Sequence, residues 1–384
     1  MNALINQSIS QTGHFHGSHF HGSYGPEDVI FLLKILPEQP FVSVADKEQL
    51  IQSGQRHYSE MLSPESLPSP QYLQVYEQAF TANRQRMARD CLTLASLINQ
   101  QQSGEIVLAS LLRAGTPVGV ILKHILEQVF KRKVTHYSLS IIRDRGIDEN
   151  ALDHILQQDH APESIVFVDG WTGKGVISGV LEESIANYNQ RRQVNINGGL
   201  WVLADLAGSA AVSASGEDYL IPSSILNATV SGLVSRSVLN DQIGATDFHG
   251  CIYYQEFAEQ DQSQAFATAI IADAIALAFS TMAEGKMPDA KPADKFQLAA
   301  ISNAFLAQAM ADYDIDDVNF IKPGIGEATR VLLRRKARLL ILRDPDVVDV
   351  AHLRVLAEQK SVPIIIQPNL PYQAVSLIGS ALDG

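Results

Sequence analysis

The spacing of hydrophobic positions divides the chain into one long helical segment and an alternation of strands and helices. Over 70–101 apolar residues recur at helical spacing, which predicts a single amphipathic helix. From Glu105 onward, short apolar runs alternate with amphipathic stretches. This alternation predicts a mainly parallel sheet, whose ligands bind at the carboxyl ends of its strands. The predicted strands are 105–112, 134–142, 164–170 and 199–207, with helices that end near Phe130, Gln158 and Tyr188 between them.

An earlier apolar stretch and a second α/β pattern flank this alternation. Residues 28–36 suit a buried strand or a short helix, and 284–295, with two prolines and six charges, has the composition of a linker. Beyond the linker the pattern predicts helices over 298–312 and 350–360, a helix that begins near Gly324, and strands over 337–343 and 362–367. We therefore predict a flexible tail over 1–25, a first domain over 26–289 and a second domain over 290–384.

The composition is that of an ordinary globular protein, with 46% hydrophobic residues and a mean hydropathy of +0.02. Two cysteines, Cys91 and Cys251, cannot cross-link a chain of this size, which indicates a reducing compartment. The N-terminus lacks a signal-peptide pattern, and the longest apolar tract, 267–279, carries Asp273 and is too short to span a bilayer. We expect a cytoplasmic protein with no membrane partner, and the oligomeric state stays open.

Four histidines, His14, His16, His19 and His21, lie in a Gly- and Ser-rich segment at the N-terminus. Metal binding is one interpretation of this spacing. No Cys or carboxylate completes a site there, so a mobile terminal tail is the favoured one.

Charge is distributed unevenly between the two predicted domains. The net charge of −13 opposes nucleic acid as a partner, because phosphate recognition needs clustered Lys and Arg. Residues 290–384, however, hold 11 basic and 11 acidic residues, so the excess of acidic residues belongs to the first domain. Six basic residues and no acidic one lie between Arg330 and Arg343. This basic run indicates either an RNA-binding surface or a solvated helix face.

The segment 164–176 has the order of parts that a phosphate-binding loop needs. A hydrophobic strand ends in Asp169 and leads through a glycine-rich turn into a helix. Glycines let backbone N–H groups approach a phosphate, the helix N-terminus adds partial positive charge, and Lys174 adds a full one. The turn consists of Gly170, Trp171, Thr172, Gly173, Lys174 and Gly175. It resembles the loop of type I phosphoribosyltransferases that binds phosphoribosyl pyrophosphate (PRPP), with Gly170 where that family has a second acid. A plain strand-turn-helix connection is the alternative.

Two more segments resemble phosphate-directed parts of that family in the family's order. The strand that ends in Leu112-Arg113 resembles the pyrophosphate loop of uracil phosphoribosyltransferases, which implies contacts from Arg113, Ala114, Gly115 and Thr116. A strand-end Arg and a Gly turn present a guanidinium and backbone donors to a diphosphate. The stretch 136–146 stands where the family has its mobile catalytic loop, which implies that Arg143, Asp144 and Arg145 close over the diphosphate.

Seven strings along nearly the whole chain resemble the bacterial StiP family, which is found with tellurite-resistance and stress-response clusters. They are GSYGPEDVIFLLK, SGQRHYSEM, SLLRAGTPVG, HYSLSIIRDRGID, VFVDGWTGKG, LIPSSILNATVSGLVSR and DFHGCIYY. That family is labelled a cysteine protease, while its first part is described as a phosphoribosyltransferase domain and its last part as pelota-like. The resemblance implies an α/β fold: a type I phosphoribosyltransferase-like, mainly parallel sheet with flanking helices, plus a small L7Ae/pelota-like domain.

The second predicted domain resembles the L7Ae/pelota RNA-binding fold around its first Gly-rich turn. The signature Gly-x-Asn-Glu-x-x-Lys of that fold is matched by Gly324, Glu327 and Arg330, while Gly326 replaces the Asn. The resemblance implies that RNA meets this helix start, with phosphate contacts from Lys322, Arg330, Arg334 and Arg335.

These resemblances imply, as the leading hypothesis, a Mg²⁺-dependent phosphoribosyltransferase that moves ribose 5-phosphate from PRPP to an unidentified acceptor and releases pyrophosphate. Asp169 would hold the ribose hydroxyls and, indirectly, Mg²⁺. Positioning of the reactants and electrostatic stabilisation of the transition state would account for the rate enhancement. The alternative is a PRPP- or nucleotide-sensing RNA-binding protein without turnover. A third is the protease of the family label, supported only by His249 and Cys251, which would share one face of a strand.

Two further segments are candidates for an acceptor pocket and a lid. Residues 220–236 are rich in hydroxyl and amide groups that can bind a base or a carboxylate, or form an ordinary turn. Residues 56–60 lie between Pro-rich loops and either fold over the site or stay solvated. The candidates are Arg56, His57, Tyr58, Glu60, Asn227, Thr229, Ser231, Arg236 and His249. No general base is assigned, although Glu60, Asp144 and His249 are candidates.

Overall fold

The computed structural model describes residues 20–37, 42–63, 65–286 and 290–378, without the side chains at 44, 45, 48, 52 and 334. The helices are α1 (Val44–Gln52), α2 (Pro70–Gln101), α3 (Gly115–Gln128), α4 (Glu149–Gln157), α5 (Val176–Arg192), α6 (Ser263–Ala283), α7 (Lys295–Asp312), α8 (Ile325–Arg334) and α9 (Ala351–Gln359). The strands are β1 (Ile30–Leu32), β2 (Lys34–Ile35), β3 (Ile106–Leu111), β4 (Val134–Leu139), β5 (Ile141–Ile142), β6 (Gly146–Ile147), β7 (Ile165–Thr172), β8 (Leu200–Asp205), β9 (Val212–Ser215), β10 (Gly250–Cys251), β11 (Ile321–Pro323), β12 (Ala337–Leu342), β13 (Ile364–Ile366) and β14 (Ala374–Ile378).

The main sheet has the strand order β1-β4-β3-β7-β8-β9, and all of its pairings are parallel. Every residue of β3 and β8 is buried, as expected of strands covered by helices on both faces. The register places Ser110 of β3 beside Val168 of β7. Arg113 and Asp169, which follow these two residues, therefore leave the sheet at the same edge.

One predicted strand is two strands in the structure. The apolar run 134–142 forms β4 and then β5, which turns back to pair antiparallel with β6. The three residues between β5 and β6 are Arg143, Asp144 and Arg145, and Asp144 has a φ of 68°. The segment predicted to be a mobile catalytic loop is thus the tip of a short hairpin.

Helix α6 is longer than the apolar tract predicted to be too short for a bilayer. By length and composition alone it is a candidate membrane span, and it is the single such helix among the described residues. It packs against α2 and α3 through Phe266, Ile270 and Ala274, which are buried. Its Asp273 accepts two hydrogen bonds from Arg84 of α2, both 2.7 Å long. The apolar residues of α6 therefore form one side of the hydrophobic core of the first domain.

The second unit is a smaller sheet of order β11-β14-β12-β13 with α8 and α9 packed beside it. Strands β12 and β13 are parallel, while β14 pairs antiparallel with both β11 and β12. Tyr219 of the first unit and Ile325 and Leu332 of α8 belong to one hydrophobic cluster. A mixed α/β fold with a mainly parallel sheet and a second small α/β unit confirms the predicted fold class.

The predicted boundary at 289/290 stays a prediction, because 287–289 lie outside the described residues. The predicted tail over 1–25 lies mostly outside them as well, and so do His14, His16 and His19. Its last residues are packed, since Tyr24 is buried and its hydroxyl donates to the carbonyl of Val230 at 3.1 Å.

Candidate functional site

A cavity of about 350 Å³ lies at the carboxyl ends of β3 and β7, between the main sheet and α8 of the second unit. Six cationic residues line it, against two carboxylates, Asp169 and Glu327. The cationic residues are Arg113, Arg143, Lys174, Arg236, Lys322 and Arg330. We call this cavity the interdomain cleft.

The predicted glycine-rich turn begins inside β7, because Gly170, Trp171 and Thr172 are still strand residues. Its last three residues form the turn that lies at one end of the interdomain cleft. Thr172 Oγ1 accepts a hydrogen bond from the N–H of Gly175 at 3.0 Å, which fixes the turn ahead of α5. Gly175 has a φ of +76°, and a Cβ there would lie 2.3 Å from that of Ser209, so only glycine fits. The first N–H groups of the 17-residue α5 therefore face the turn without intrahelical partners. Trp171, Thr172, Gly173, Lys174 and Gly175 all line the cleft.

Asp169 lies in β7, three positions before the strand ends at Thr172. Its Oδ1 accepts a hydrogen bond from the N–H of Gly170 at 2.7 Å. Burial raises the pKa of Asp169 to about 6, and the hydrogen bond and the nearby Arg330 offset only part of that rise.

The second unit contributes its own charges to this end of the interdomain cleft. Arg330 donates to Glu327 at 2.7 Å, and its guanidinium lies 4.7 Å from the centre of the Trp171 ring. Lys174 Nζ donates to the carbonyl of Val318 at 2.7 Å. Burial lowers the pKa of Lys174 to about 8, with Lys322 acting in the same direction. Burial would raise the pKa of Glu327, but attraction to Arg330 and Lys322 outweighs it and lowers the pKa.

Arg113 and Arg236 lie at the other end of the interdomain cleft. Arg113 is paired with Glu65 at 2.6 Å and donates to Asn227 Oδ1 at 2.9 Å. Arg236 donates through Nη2 to the carbonyls of Tyr58, at 2.8 Å, and Met61. Burial lowers the pKa of Arg236 to about 10.

The structure joins the two sites that the sequence treats as separate. The residues predicted to meet RNA at the start of α8 face the first unit instead. A Cβ on Gly326 would lie 2.7 Å from Trp171 Nε1, and one on Gly173 would lie 2.9 Å from Cγ of Glu327. Asp218 Oδ1 accepts from the N–H of Ile325 at 2.9 Å, so a carboxylate of the first unit caps α8. Gly324 and Gly326 line a smaller cavity beside the cleft. Arg335 is exposed, and the Arg334 side chain lies outside the described residues.

Several predicted site residues lie outside the lining of the interdomain cleft. Thr116 is buried and bonded to Ser138 at 2.7 Å, Arg145 pairs with Glu60, and Thr229 is buried. His57 Nδ1 bonds to Ser59 at 2.8 Å, and Arg56 is exposed. Ala114, Tyr58, Asn227 and Ser231 do line the cleft. Asp144 and Gly115 are also outside the lining: Asp144 is exposed, and a Cβ on Gly115 would lie 2.6 Å from the carbonyl oxygen of Val168.

The thiols have no catalytic geometry. Cys251 is 0% exposed, and burial raises its pKa to about 12. His249, two residues away, bonds through Nδ1 to Ser140 Oγ at 2.7 Å. Cys91 is also 0% exposed, and burial raises its pKa as well. A protease thiol must reach its thiolate form beside a His, and neither described cysteine does.

The residues present do not fit a resident metal ion. Among the described residues no group of three or more His, Cys, Asp or Glu is placed to hold one. Asp169 supplies a single carboxylate, with the cationic Arg330 nearby. Mg²⁺ is usually bound by one or two carboxylates together with the phosphates of a ligand.

Sequence reasoning missed the partners that come from distant segments. Glu65, which pairs with Arg113, lies in a Pro-rich loop, and Asp218, which caps α8, lies in a loop after β9. Neither has a local sequence signal. Ser223 and Ser224, which line the cleft, follow Pro222 in the hydroxyl-rich stretch, and that richness is the signal that finds them.

Comparison with known proteins places the chain among stress-resistance proteins. The family model described as "Tellurite-like stress resistance cysteine protease StiP" matches residues 22–271, and the PELOTA RNA binding domain model matches 300–380. A protein of Acinetobacter baylyi named "Cysteine protease StiP" is 42% identical over 371 residues, 94% of each chain. Two solved structures of the hypoxanthine phosphoribosyltransferase of Trypanosoma cruzi, one a mutant complexed with IMP, are 14% and 13% identical. They cover 35% and 47% of this chain and 82% and 87% of their own, each with a TM-score of 0.26.

These comparisons overturn the prediction of a phosphoribosyltransferase. The family and the relative carry the name of a cysteine protease, and a TM-score of 0.26 carries no argument for phosphoribosyl transfer. The prediction relied on three short loops, and such loops are shared by folds of unrelated activity. The chain belongs to the StiP family of tellurite-like stress-resistance proteins and ends in a PELOTA-type domain.

Proposed function

We propose that this protein binds a phosphorylated ribose or nucleotide in the interdomain cleft and RNA through its C-terminal domain, without turnover of the small ligand. The observation that carries the proposal is the convergence of six cationic side chains on one cleft that has only two carboxylates. These half-buried cations have lost part of their hydration, and the anionic oxygens of a phosphate would replace it. The glycine-rich turn and the N-terminus of α5 add backbone donors at the same end.

The charges next to that turn suit a phosphate in particular. Lys174, Lys322 and Arg330 surround it, and Glu327 already neutralises part of Arg330. We propose that Mg²⁺ enters only with the phosphates of the ligand, since Asp169 alone cannot hold it. We also propose a cytoplasmic location, supported by two cysteines that are free and buried.

Isothermal titration calorimetry with ribose 5-phosphate, AMP and PRPP, each with and without Mg²⁺, tests the cleft. We expect at least one of them to bind the wild type and Lys174→Ala to weaken that binding about tenfold or more. Lys286→Ala, which removes an exposed lysine outside the cleft, is the matched control and should bind like the wild type. Absence of binding by all three ligands would overturn the proposal.

RNA binding by the C-terminal domain is supported by its match to the PELOTA RNA binding domain. Because the start of α8 is docked on the first unit, we assign the RNA contact to the exposed basic residues Arg335, Lys336 and Arg338. A gel shift with structured RNA should show binding that falls steeply with salt. We expect its loss in the triple Ala variant of these residues and its retention in Lys131→Ala/Lys133→Ala, a pair of exposed lysines on the first unit. Equal binding by both variants would contradict the assignment.

The family name supplies a second candidate, peptide hydrolysis. The specific observation in its favour is the 42% identical relative named a cysteine protease. A fluorogenic peptide library, assayed with the wild type and Cys251→Ser, tests it. Cleavage that disappears in Cys251→Ser would favour this candidate over the binding protein.

A further inference from the structure

The floor of the interdomain cleft contains polar atoms that the described part of the chain leaves unpaired. Ser223 Oγ, Ser224 Oγ and Arg236 Nη1 are all buried and have no hydrogen-bond partner among the described residues. All three residues line the cleft. Buried donors are ordinarily paired, and a cluster of unpaired ones calls for a partner outside the chain. All three groups can donate a hydrogen bond to an acceptor oxygen of a ligand.

Arg236 also leaves a positive charge without a counter-ion at this end. Its Nη2 is bound to two carbonyls, and it forms no ion pair within the described ranges. Glu65, a carboxylate that attracts it, is already paired with Arg113 at 2.6 Å. Two guanidinium groups and one carboxylate leave one net positive charge, which matches a monoanion.

This end has different contacts from the Lys174 end. Lys174 donates to the carbonyl of Val318 and Arg330 pairs with Glu327, so the contacts there involve the second unit. Arg236 and Arg113 bond instead to Tyr58, Met61, Glu65 and Asn227 of the first unit. A ligand that fills the cleft therefore meets a cationic group at each end.

We propose that the Arg236 end binds a carboxylate, so that the ligand is a phosphorylated ribose or nucleotide with a carboxylate on its base. The inference rests on the proposed function, since it places the phosphate at the Lys174 end. A guanidinium matches a planar carboxylate in geometry. Ser223 and Ser224 lie on the turn Pro222–Ile225, which contacts α8, and can donate to another part of the same ligand. A second phosphate would bring two negative charges to a site with one net positive charge.

Calorimetry with two matched ligand pairs tests the proposal. The pairs are uridine monophosphate with orotidine monophosphate, and nicotinamide mononucleotide with nicotinic acid mononucleotide, whose members differ in a carboxylate. We expect the carboxylated member of at least one pair to bind about tenfold more tightly or better. Arg236→Gln should remove that preference. Lys174→Ala should weaken both members alike and keep their ratio.

A second variant protects the test against misfolding of Arg236→Gln. Arg236→Lys keeps the positive charge but lacks the planar guanidinium, so it should fold and lower the preference. Equal affinity within both pairs, or a preference that survives both variants, overturns the inference and leaves the proposed function intact. Tighter binding of ribose bisphosphate than of any carboxylated ligand also overturns it, in favour of a second phosphate. Failure of every phosphorylated ligand to bind overturns the proposed function itself.

Discussion

At the scale of single residues, burial decides the chemistry of this protein more than residue type does. Cys251 and His249 are two residues apart on the chain, yet the thiol is buried and the imidazole bonds to Ser140. Asp169 is a carboxylate at a strand end, yet burial brings its pKa to about 6. Each of these side chains therefore differs from what its type and spacing alone predict.

Neither thiol should react in the folded protein. With DTNB we expect no thiol to be titrated under native conditions and both to be titrated in denaturant, because burial raises the pKa of each cysteine. The absorbance change measures this directly. Rapid reaction of one native thiol would restore the protease hypothesis.

Replacement of Asp169 should stabilise the protein in a pH-dependent manner. The pKa of Asp169 is about 6 in the folded chain and near 4 when unfolded, so its contribution to stability is lost as pH rises through 6. The free energy of unfolding of Asp169→Asn should therefore exceed that of the wild type by about 1–3 kcal/mol above pH 6 and by almost nothing below pH 4. Asp241→Asn, an exposed control, should show no such pH profile. A difference in unfolding free energy that stays constant as pH rises from 4 to 6 would contradict a raised pKa for Asp169.

At the scale of elements, one face of α8 packs against the first unit. Gly326 lets the helix approach Trp171, and Glu327 lies against Gly173 of the glycine-rich turn. The helix that resembles an RNA-binding element is thus also a wall of the interdomain cleft. Its glycines have a packing role that the RNA signature does not explain.

Two glycines in helices should respond oppositely to alanine. A Cβ on Gly326 would lie 2.7 Å from Trp171 Nε1, so Gly326→Ala should cost about 1–3 kcal/mol of stability and weaken ligand binding. Gly179 of α5 has nothing within 4 Å of a Cβ, so Gly179→Ala should add about 0.5–1 kcal/mol. Chemical denaturation measures both. Equal effects of the two substitutions would mean that α8 is not held against Trp171.

At the scale of the whole molecule, the two units share a site. Lys174 of the first unit bonds to the carbonyl of Val318 in the second, and Asp218 caps α8 at 2.9 Å. A ligand that fills the interdomain cleft would touch both units, whereas Asp218 occupies the start of α8. RNA would therefore have to bind the exposed basic residues of the second unit, outside this interface.

A small ligand and RNA should bind independently. Because Arg335, Lys336 and Arg338 do not line the interdomain cleft, a saturating concentration of the best-binding nucleotide should leave the RNA affinity unchanged. RNA should likewise leave the nucleotide affinity unchanged, because linkage is reciprocal. Fluorescence anisotropy of labelled RNA, with and without nucleotide, measures the first affinity and calorimetry the second. Mutual weakening would show that RNA displaces Asp218 and binds at the start of α8.

The sequence by itself determined the parts of the structure that depend on local spacing. The strand and helix periods placed α2 and the strands β3, β4, β7 and β8, and the glycine-rich turn stood out because a tight turn between strand and helix needs glycine. The family resemblance followed from short strings of the same kind. Each of these signals comes from residues that are close together on the chain.

Only the tertiary structure decided which residues act together. It placed Glu65 on Arg113 and Asp218 on α8 from segments 48 and 107 residues away, and no local pattern records such pairs. It also buried both cysteines and merged a predicted phosphate site with a predicted RNA site into one cleft. The physical reason is that burial and charge pairing depend on distance in space, whereas hydrophobic spacing and turn chemistry depend on distance along the chain.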